Sequence, residues 1–389
     1  MRRMAWHIGF LTLLLALYLI AGVQASPMDD FFDYERFAET LGGQGRLDFS
    51  IPGLHGLSLF AAPLYALTRW PLSVIGVTIA CAILIVPLIY ATAAALFGSR
   101  AGYFAACLYL LMPWLYTQSL RGFTVTGEIL FMLLTIYLLV RRQPYWAAVS
   151  YALALLVKPF ALCALPFFWL TQRQRDRLLA PLLAVVLALP YFFCVYRATG
   201  QLIYTTGGRG IEGFDLHHLP YNLGVFVYQA FGLPLVDTDL SFAGSFHFHP
   251  ALQLTSVAVV FGLLTLLYPG KHLDRRRRWV FAAALAIGAL LPSAYAFVDT
   301  NYTAPFAVLA ALLAAPFLAR FPLAFALVLL SSGFQFLSLY LLSRDTYFAD
   351  GWWPIALLLL GLGLDSGIFL FDGIFRCGLD FTKAKRGSG

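Results

Sequence analysis

The stretch SPMDDFFDYERFAETL, Ser26 to Leu41, sets five carboxylates, Asp29, Asp30, Asp33, Glu35 and Glu39, directly after a strongly apolar segment. A carboxylate at a membrane edge can take the proton from an attacking hydroxyl, provided that it faces water and substrate. At helical spacing Asp29, Asp33 and Arg36 fall on one stripe, while Phe31, Tyr34, Ala38 and Leu41 fall on an apolar one. Such a helix lies in the interface with its acids toward a wet cavity. Ser26 stands where an N-cap would, and the first turn, with Asp29 and Asp30, is where the helix dipole favours anions. By charge pattern alone, the same acids also fit a purely capping and solubilising role.

Cations able to hold an anion are few on this side of the sequence pattern. Lys158, in ALALLVKPFALCALPFF, is embedded in apolar residues. An ammonium there needs an anionic partner or a water-filled cavity, unless it snorkels to the interface. Arg121, in YTQSLRGFT, opens a span and suits either a substrate anion or an interface anchor. Arg209, in TTGGRGIEG, sits in a Gly-rich loop, as an anion clamp or as solvated loop charge. His217 and His218 are adjacent and His247 and His249 alternate, with Asp215, Asp237 and Asp239 nearby. Imidazole and carboxylate suit a divalent cation, but this spacing fixes no coordination geometry, so no metal site is assigned and a divalent cation stays an alternative. Asp365 and Asp372 lie seven apart on one helical face, as packing polar residues or as an ion path.

The elements that must position these residues are membrane helices. Of 389 residues, 61% are hydrophobic and only 12% charged, and mean hydropathy is +0.79, which excludes a soluble globule of ordinary surface. Strands of a barrel would alternate apolar and polar residues, and these do not, so the class is all-α and polytopic. The net charge of +7 sits in short clusters between apolar runs, which argues against nucleic acid. Five cysteines, Cys81, Cys107, Cys163, Cys194 and Cys377, are scattered singly without metal or redox spacing and read as packing residues. The N-terminus, MRRMAWHIGFLTLLLALYLIAGVQA, resembles a signal peptide with a small-x-small end at Ala25, yet its apolar part is long enough to span. It is expected to be an uncleaved first span.

Apolar runs and breakers predict about twelve spans, near 5–25, 74–97, 102–118, 123–140, 145–157, 159–171, 178–197, 251–270, 279–298, 303–319, 322–343 and 353–375. LHGLSLFAAPLYALTRW is too short and interrupted to span and fits an interfacial helix. With the N-terminus cytoplasmic, 18 of the 26 Lys and Arg fall on that side, and most carboxylates, including Glu128, fall on the other. The acidic segment therefore faces the periplasm or exterior. Two long outer segments, 25–73 and 198–250, are rich in Gly, Pro and aromatics, with interfacial helices expected in both. No P-loop or dinucleotide turn is present.

In this order and sidedness, several segments resemble the GT-C superfamily of polyprenyl-phosphate-sugar-dependent membrane glycosyltransferases, which includes protein O-mannosyltransferases and aminoarabinose transferases. The resemblance starts at DDFFDYERFA, the place of the family's first-loop acidic pair. LHGLSL keeps a histidine, His55, where the family's prolines are replaced. LMPWLYTQSLRGFTVTGEILFMLLTIYLLVRR and WAAVSYALALLVKPFALCALPFFWL are similar to the family's middle, with its Lys-Pro step. DTNYTAPFAVLAALLAA resembles its late Arg-Tyr element, with Asn301 where Arg is common.

The resemblance implies a GT-C-like catalytic module over 1–320, followed by C-terminal helices and a basic cytoplasmic tail over 321–389. It implies a bacterial inner-membrane enzyme that moves a sugar, with inversion, from a polyprenyl-phosphate donor to a hydroxyl of a lipid-linked or membrane-held acceptor on the periplasmic face. Asp29 or Asp30 would be the base. Lys158, Arg121, His55 and Arg209 would hold the donor phosphate, and Asp33, Tyr34, Asn301 and Tyr302 would line the substrate. Two alternatives stand beside it: a polytopic transporter or lipid-glycan flippase, which predicts two related halves and a polar path, and an O-antigen ligase or polymerase relying on outer Arg and His.

Overall fold

The computed structural model describes residues 2–21, 27, 29–201, 216–230, 251–268, 273–294, 300–326, 328–329, 336 and 352–386; within these, 2, 21, 29–30, 114, 218, 225, 228–230, 251–257, 300–301 and 371–386 are described as backbone only. All regular elements among the described residues are helical. Five helices are long and apolar enough to cross a membrane, over Arg3–Ile20, Ser73–Phe97, Gln174–Thr199, Tyr302–Arg320 and Trp353–Leu370. Shorter apolar helices, such as Val125–Val140 and Pro144–Val157, pack among them.

The first helix, α1 (Arg2–Ala21), turns Leu11, Leu15 and Tyr18 inward and leaves Leu13, Leu17 and Ile20 exposed. Exposed apolar residues on a helix of this length are what a lipid-facing surface requires. Next come α2 (Asp29–Gln44) and α3 (Ser58–Thr68), two short helices that fit the interfacial pair expected in the first outer loop. They touch where a Cβ on Gly42 would lie 2.3 Å from the Ala62 carbonyl oxygen, an approach only glycine permits. The helix α4 (Ser73–Phe97) follows and is capped from outside its own chain segment. Glu35 of α2, 4% exposed, accepts from Ser73 Oγ at 2.6 Å, Val74 N at 2.9 Å and Ser73 N at 3.3 Å. A carboxylate there satisfies first-turn N–H groups and meets the positive end of the dipole. This fastens the interfacial helix to the bundle.

The span expected over 102–118 is broken. Helix α5 (Ser99–Leu110) stops before Pro113, and a short α6 (Pro113–Thr117) runs into a 3-10 turn (Gln118–Arg121) that ends on Gly122 at φ 80°. A Cβ on Gly122 would meet Phe31 at 2.4 Å, so the turn after Arg121 lies directly against the first turns of α2. Then α7 (Val125–Val140) and α8 (Pro144–Val157) pair, and residues Pro159–Leu170 form a 3-10 segment rather than an α-helix. In α9 (Gln174–Thr199), Ala180, Ala184, Ala188, Tyr191 and Val195 recur at intervals of three to four residues and are buried, while Leu182, Val186, Leu189 and Phe193 are exposed. The small residues let the backbone approach its neighbours, as membrane helix interfaces favour.

Helix α10 (Leu219–Ala230) sits in the second long loop, and α11 (Ala251–Leu267), α12 (Arg275–Ser293) and α13 (Thr300–Arg320) complete the middle of the bundle. From Ala307 to Ala315 every residue of α13 is buried, five of them alanine, which makes α13 the central helix between α5, α11 and α12. The last helix, α14 (Trp353–Arg386), packs on α1, with Gly361 against Leu14. There Asp365 accepts from Tyr103 at 2.9 Å and pairs with His7 Nδ1 at 2.7 Å, so the packing role expected for Asp365 is a specific three-helix junction. Cys81, Cys107 and Cys163 are buried and Cys194 half-buried.

Candidate functional site

Lys158 owes its position to Pro159. A proline disfavours helical geometry in the residue before it. Lys158 accordingly leaves α8 at φ −156°, ψ 144°, and the chain restarts as the 3-10 segment. Only 9% of the residue is exposed. Its Nζ lies 5.3 Å from the centroid of the Tyr302 ring, and that ring stacks on Phe160 at 4.5 Å. Among the described residues Lys158 makes no ion pair within 4 Å, so the ammonium is held by a ring face and left with donors to offer.

Glu128 is fully buried in the first turn of α7, and neither carboxylate oxygen makes a hydrogen bond. The favourable influences on it are the Lys158 charge, the Ala161 amide and the N-terminus of α7. A buried ionisable side chain in a membrane helix is a candidate functional position. Its burial contrasts with the exposed outer carboxylate that charge distribution implied. The signal available in the sequence was an acid at the start of an apolar run, where the helix dipole favours one in any case.

The loop 45–57 reaches the same place. Gly56 N donates to Leu156 O at 3.1 Å, two residues before Lys158, and a Cβ on Gly56 would meet the Leu156 backbone at 2.6 Å. Leu57 in turn fills the space over Gly127, next to Glu128. His55 is 1% exposed: its N–H donates to the Tyr191 hydroxyl at 2.8 Å, its Nε2 donates to Ile51 O at 2.9 Å, and its ring stacks on Phe37 at 4.1 Å. Burial pulls the imidazole down to about 4, so it is neutral at ordinary pH. Tyr34 packs edge-on against it at 6.0 Å. Asp33 is half-buried, and Phe31, Tyr34 and Ala38 are buried as the apolar stripe requires. Burial also holds the Glu35 carboxyl above its usual range, against the pull of its three donors.

Of the expected site residues, Lys158 and Tyr302 are in contact. Arg121 is brought to the start of α2 through the Phe31–Gly122 contact. Asp29 and Asp30 open α2 at that same start, one and two residues before Phe31, with their side chains outside the described set. Asn301 is described as backbone in the first turn of α13, and Arg209 lies outside the described residues. His217 is exposed, and the other candidate metal ligands of the second loop lie outside the described side chains; among those described, no group of three His, Cys, Asp or Glu clusters.

This arrangement gathers, at one end of the bundle, an interfacial acidic turn, a guanidinium, a ring-held ammonium and a buried acid. Three solved structures share it at the level of fold. A crystal structure of ArnT from Cupriavidus metallidurans bound to undecaprenyl phosphate matches with TM-score 0.61 at 13% identity, over 93% of this chain and 76% of that one. Its apo form matches with TM-score 0.62 at 12% identity, over 94% and 76%. The Archaeoglobus fulgidus oligosaccharyltransferase tethered to an acceptor peptide matches with TM-score 0.53 at 13% identity, over 93% of this chain and 54% of that one. The chain has the GT-C fold. No protein-family model matches the chain, and no curated protein matches its sequence.

Proposed function

We propose that this multi-pass membrane protein transfers a sugar from a polyprenyl-phosphate donor to a hydroxyl of a lipid-linked or otherwise membrane-held acceptor, on the periplasmic face of a bacterial inner membrane. The observation that supports it most is the convergence of Lys158, Tyr302 and Glu128 at the end of the bundle where α2 begins. The solved relative bound to undecaprenyl phosphate has the same fold.

In this reading Asp29 or Asp30 takes the proton of the acceptor hydroxyl, whose oxygen attacks the anomeric carbon. The bond to the polyprenyl phosphate oxygen breaks on the opposite face, so configuration inverts. Lys158 and Arg121 hold the phosphate, and their charge counts for more as negative charge builds on the departing oxygen. Glu128, buried in the first turn of α7, is the acid whose field reaches Lys158. His55, neutral and stacked, shapes the loop rather than binding phosphate. Tyr34, Asp33 and the Asn301 to Tyr302 turn line the acceptor side, and Arg209, outside the described residues, is a further candidate for the donor phosphate. Residues 1–320 form the catalytic module.

The test is purified protein in lipid discs with labelled polyprenyl-phosphate sugars and membrane extract as acceptor. Covalent transfer by the wild type and its loss in the Asp29→Asn/Asp30→Asn double variant support the reading. Undiminished transfer by that variant overturns the base assignment, and movement of donor across the membrane without transfer would identify a flippase.

A further inference from the structure

At the end of the bundle opposite Lys158, a groove of about 870 Å³ opens between the α4 to α5 turn and the last turns of α11 and α13. Arg100, in the first turn of α5, and Arg320, closing α13, both line it, and among the described residues no carboxylate does. Among the described residues neither guanidinium has an ion pair; Arg320 lies over the Phe321 ring at 5.2 Å. Asp274, next to the lining Leu273, is engaged in capping α12 through Arg277 N at 2.8 Å. The remaining wall is mostly apolar and aromatic, with Phe97, Leu264 and Phe317 among its residues.

Two guanidiniums that line one groove, both on exposed residues, favour an anionic ligand there. The C-terminal ends of α11 and α13 supply partial negative charge, so any anion there depends on the guanidiniums themselves. A volume of this size exceeds the needs of an inorganic ion and matches pockets for larger molecules. A free anion would also leave the apolar wall unused. Basic pockets between membrane helices are characteristic sites for anionic lipid headgroups.

We infer that this groove binds one phosphate-bearing membrane lipid, its phosphate bridged by Arg100 and Arg320 and its chains lying along Phe97, Leu264 and Phe317. The site is independent of the proposed transfer chemistry, since it lies at the other end of the helices. Guanidinium forks fit phosphate oxygens in pairs, which gives a phosphodiester an advantage over a zwitterionic lipid whose charge is internally balanced.

The experiment incorporates the full chain into vesicles of phosphatidylglycerol and phosphatidylcholine, releases it gently and counts retained lipid by native mass spectrometry. The expected result is selective retention of phosphatidylglycerol, unaffected by millimolar inorganic phosphate and reduced about tenfold in Arg100→Gln/Arg320→Gln. Arg173→Gln/Arg175→Gln, which removes two exposed cations of α9's start outside the groove, should retain lipid as the wild type does. Equal loss in both double variants would mean diffuse surface attraction and overturn the site, as would displacement by inorganic phosphate or absence of lipid selectivity. A photoactivatable phosphatidylglycerol on the unaltered protein gives a second reading that needs no folded variant. Labelling of peptides containing Leu264 or Phe317 is expected, and labelling only elsewhere overturns the proposal.

Discussion

At the scale of single residues, charge is decided by what surrounds it. Lys158 keeps its ammonium over the Tyr302 ring, where Lys158→Met removes charge and little volume. If it holds phosphate, the donor KM should rise about 10- to 100-fold, the usual worth of a hydrogen bond to a charged group, measured by initial rates against donor concentration. Tyr302→Leu should produce a smaller rise, by about threefold to tenfold, through loss of the ring face. His55 makes a prediction about pH. Its folded value of about 4 lies below the ordinary 6.5, so below 6.5 the unfolded chain binds a proton that the folded chain refuses. Stability is complete above 6.5 and falls toward pH 4, by about 3 kcal/mol at most. Thermal unfolding in detergent across that range should show the loss, and His55→Phe, which keeps the stack on Phe37, should flatten it.

At the scale of elements, the breaks matter more than the helices. Pro159 ends α8 and turns Lys158 into the bundle, and LVKPF already announces that step in the sequence because proline restricts its predecessor. Pro159→Ala should let the helix continue and rotate Lys158 away, raising the donor KM as Lys158→Met does although the lysine is still there. The tethering of α2 gives a separate prediction. Glu35→Ala leaves the Ser73 and Val74 amides of α4 without their acceptor, a cost of about 1–3 kcal/mol, whereas Glu39→Ala on the half-buried neighbour should cost little; differential melting checks both. None of this pairing was legible from the sequence, where Glu35 is one of five acids. A partner 38 residues away is set by how α2 folds onto α4. The apolar stripe of α2, the short helix α3 and the span over 74–97 were legible, because burial follows periodicity, whereas the run over 123–140 forms an apolar helix shorter than a full span. The 3-10 form of Pro159–Leu170 and the break before Pro113 were not, since an apolar run carries the same signal for any helix.

At the scale of the whole molecule, the bundle has two unlike ends. Glu35, His55, Glu128 and Lys158 gather at one. The other collects main-chain carbonyls held by arginine: Arg277 Nη1 donates to Leu96 O at 3.1 Å, Arg276 Nη2 to Thr171 O at 2.7 Å, and Arg177 Nε to Thr171 O at 3.1 Å. These contacts fix the C-terminal ends of α4 and the 3-10 segment to the start of α12, so the basic clusters at 173–177 and 275–278 share one end in space. In the proposed orientation, which follows the positive-inside rule, that end is cytoplasmic and the Lys158 end faces out. A direct check replaces exposed residues with cysteine, one at a time, in a cysteine-free background: Arg46 in the loop after α2, and Arg142 between α7 and α8. A membrane-impermeant maleimide applied to intact cells with a permeable outer membrane should label Arg46→Cys and spare Arg142→Cys until the inner membrane is opened. The reverse pattern would place the acids of α2 in the cytoplasm. Inverted labelling would also put a hydroxyl acceptor and a lipid-linked sugar on the wrong side of Asp29 and Asp30, so this measurement bears on the proposed chemistry before any substrate is in hand.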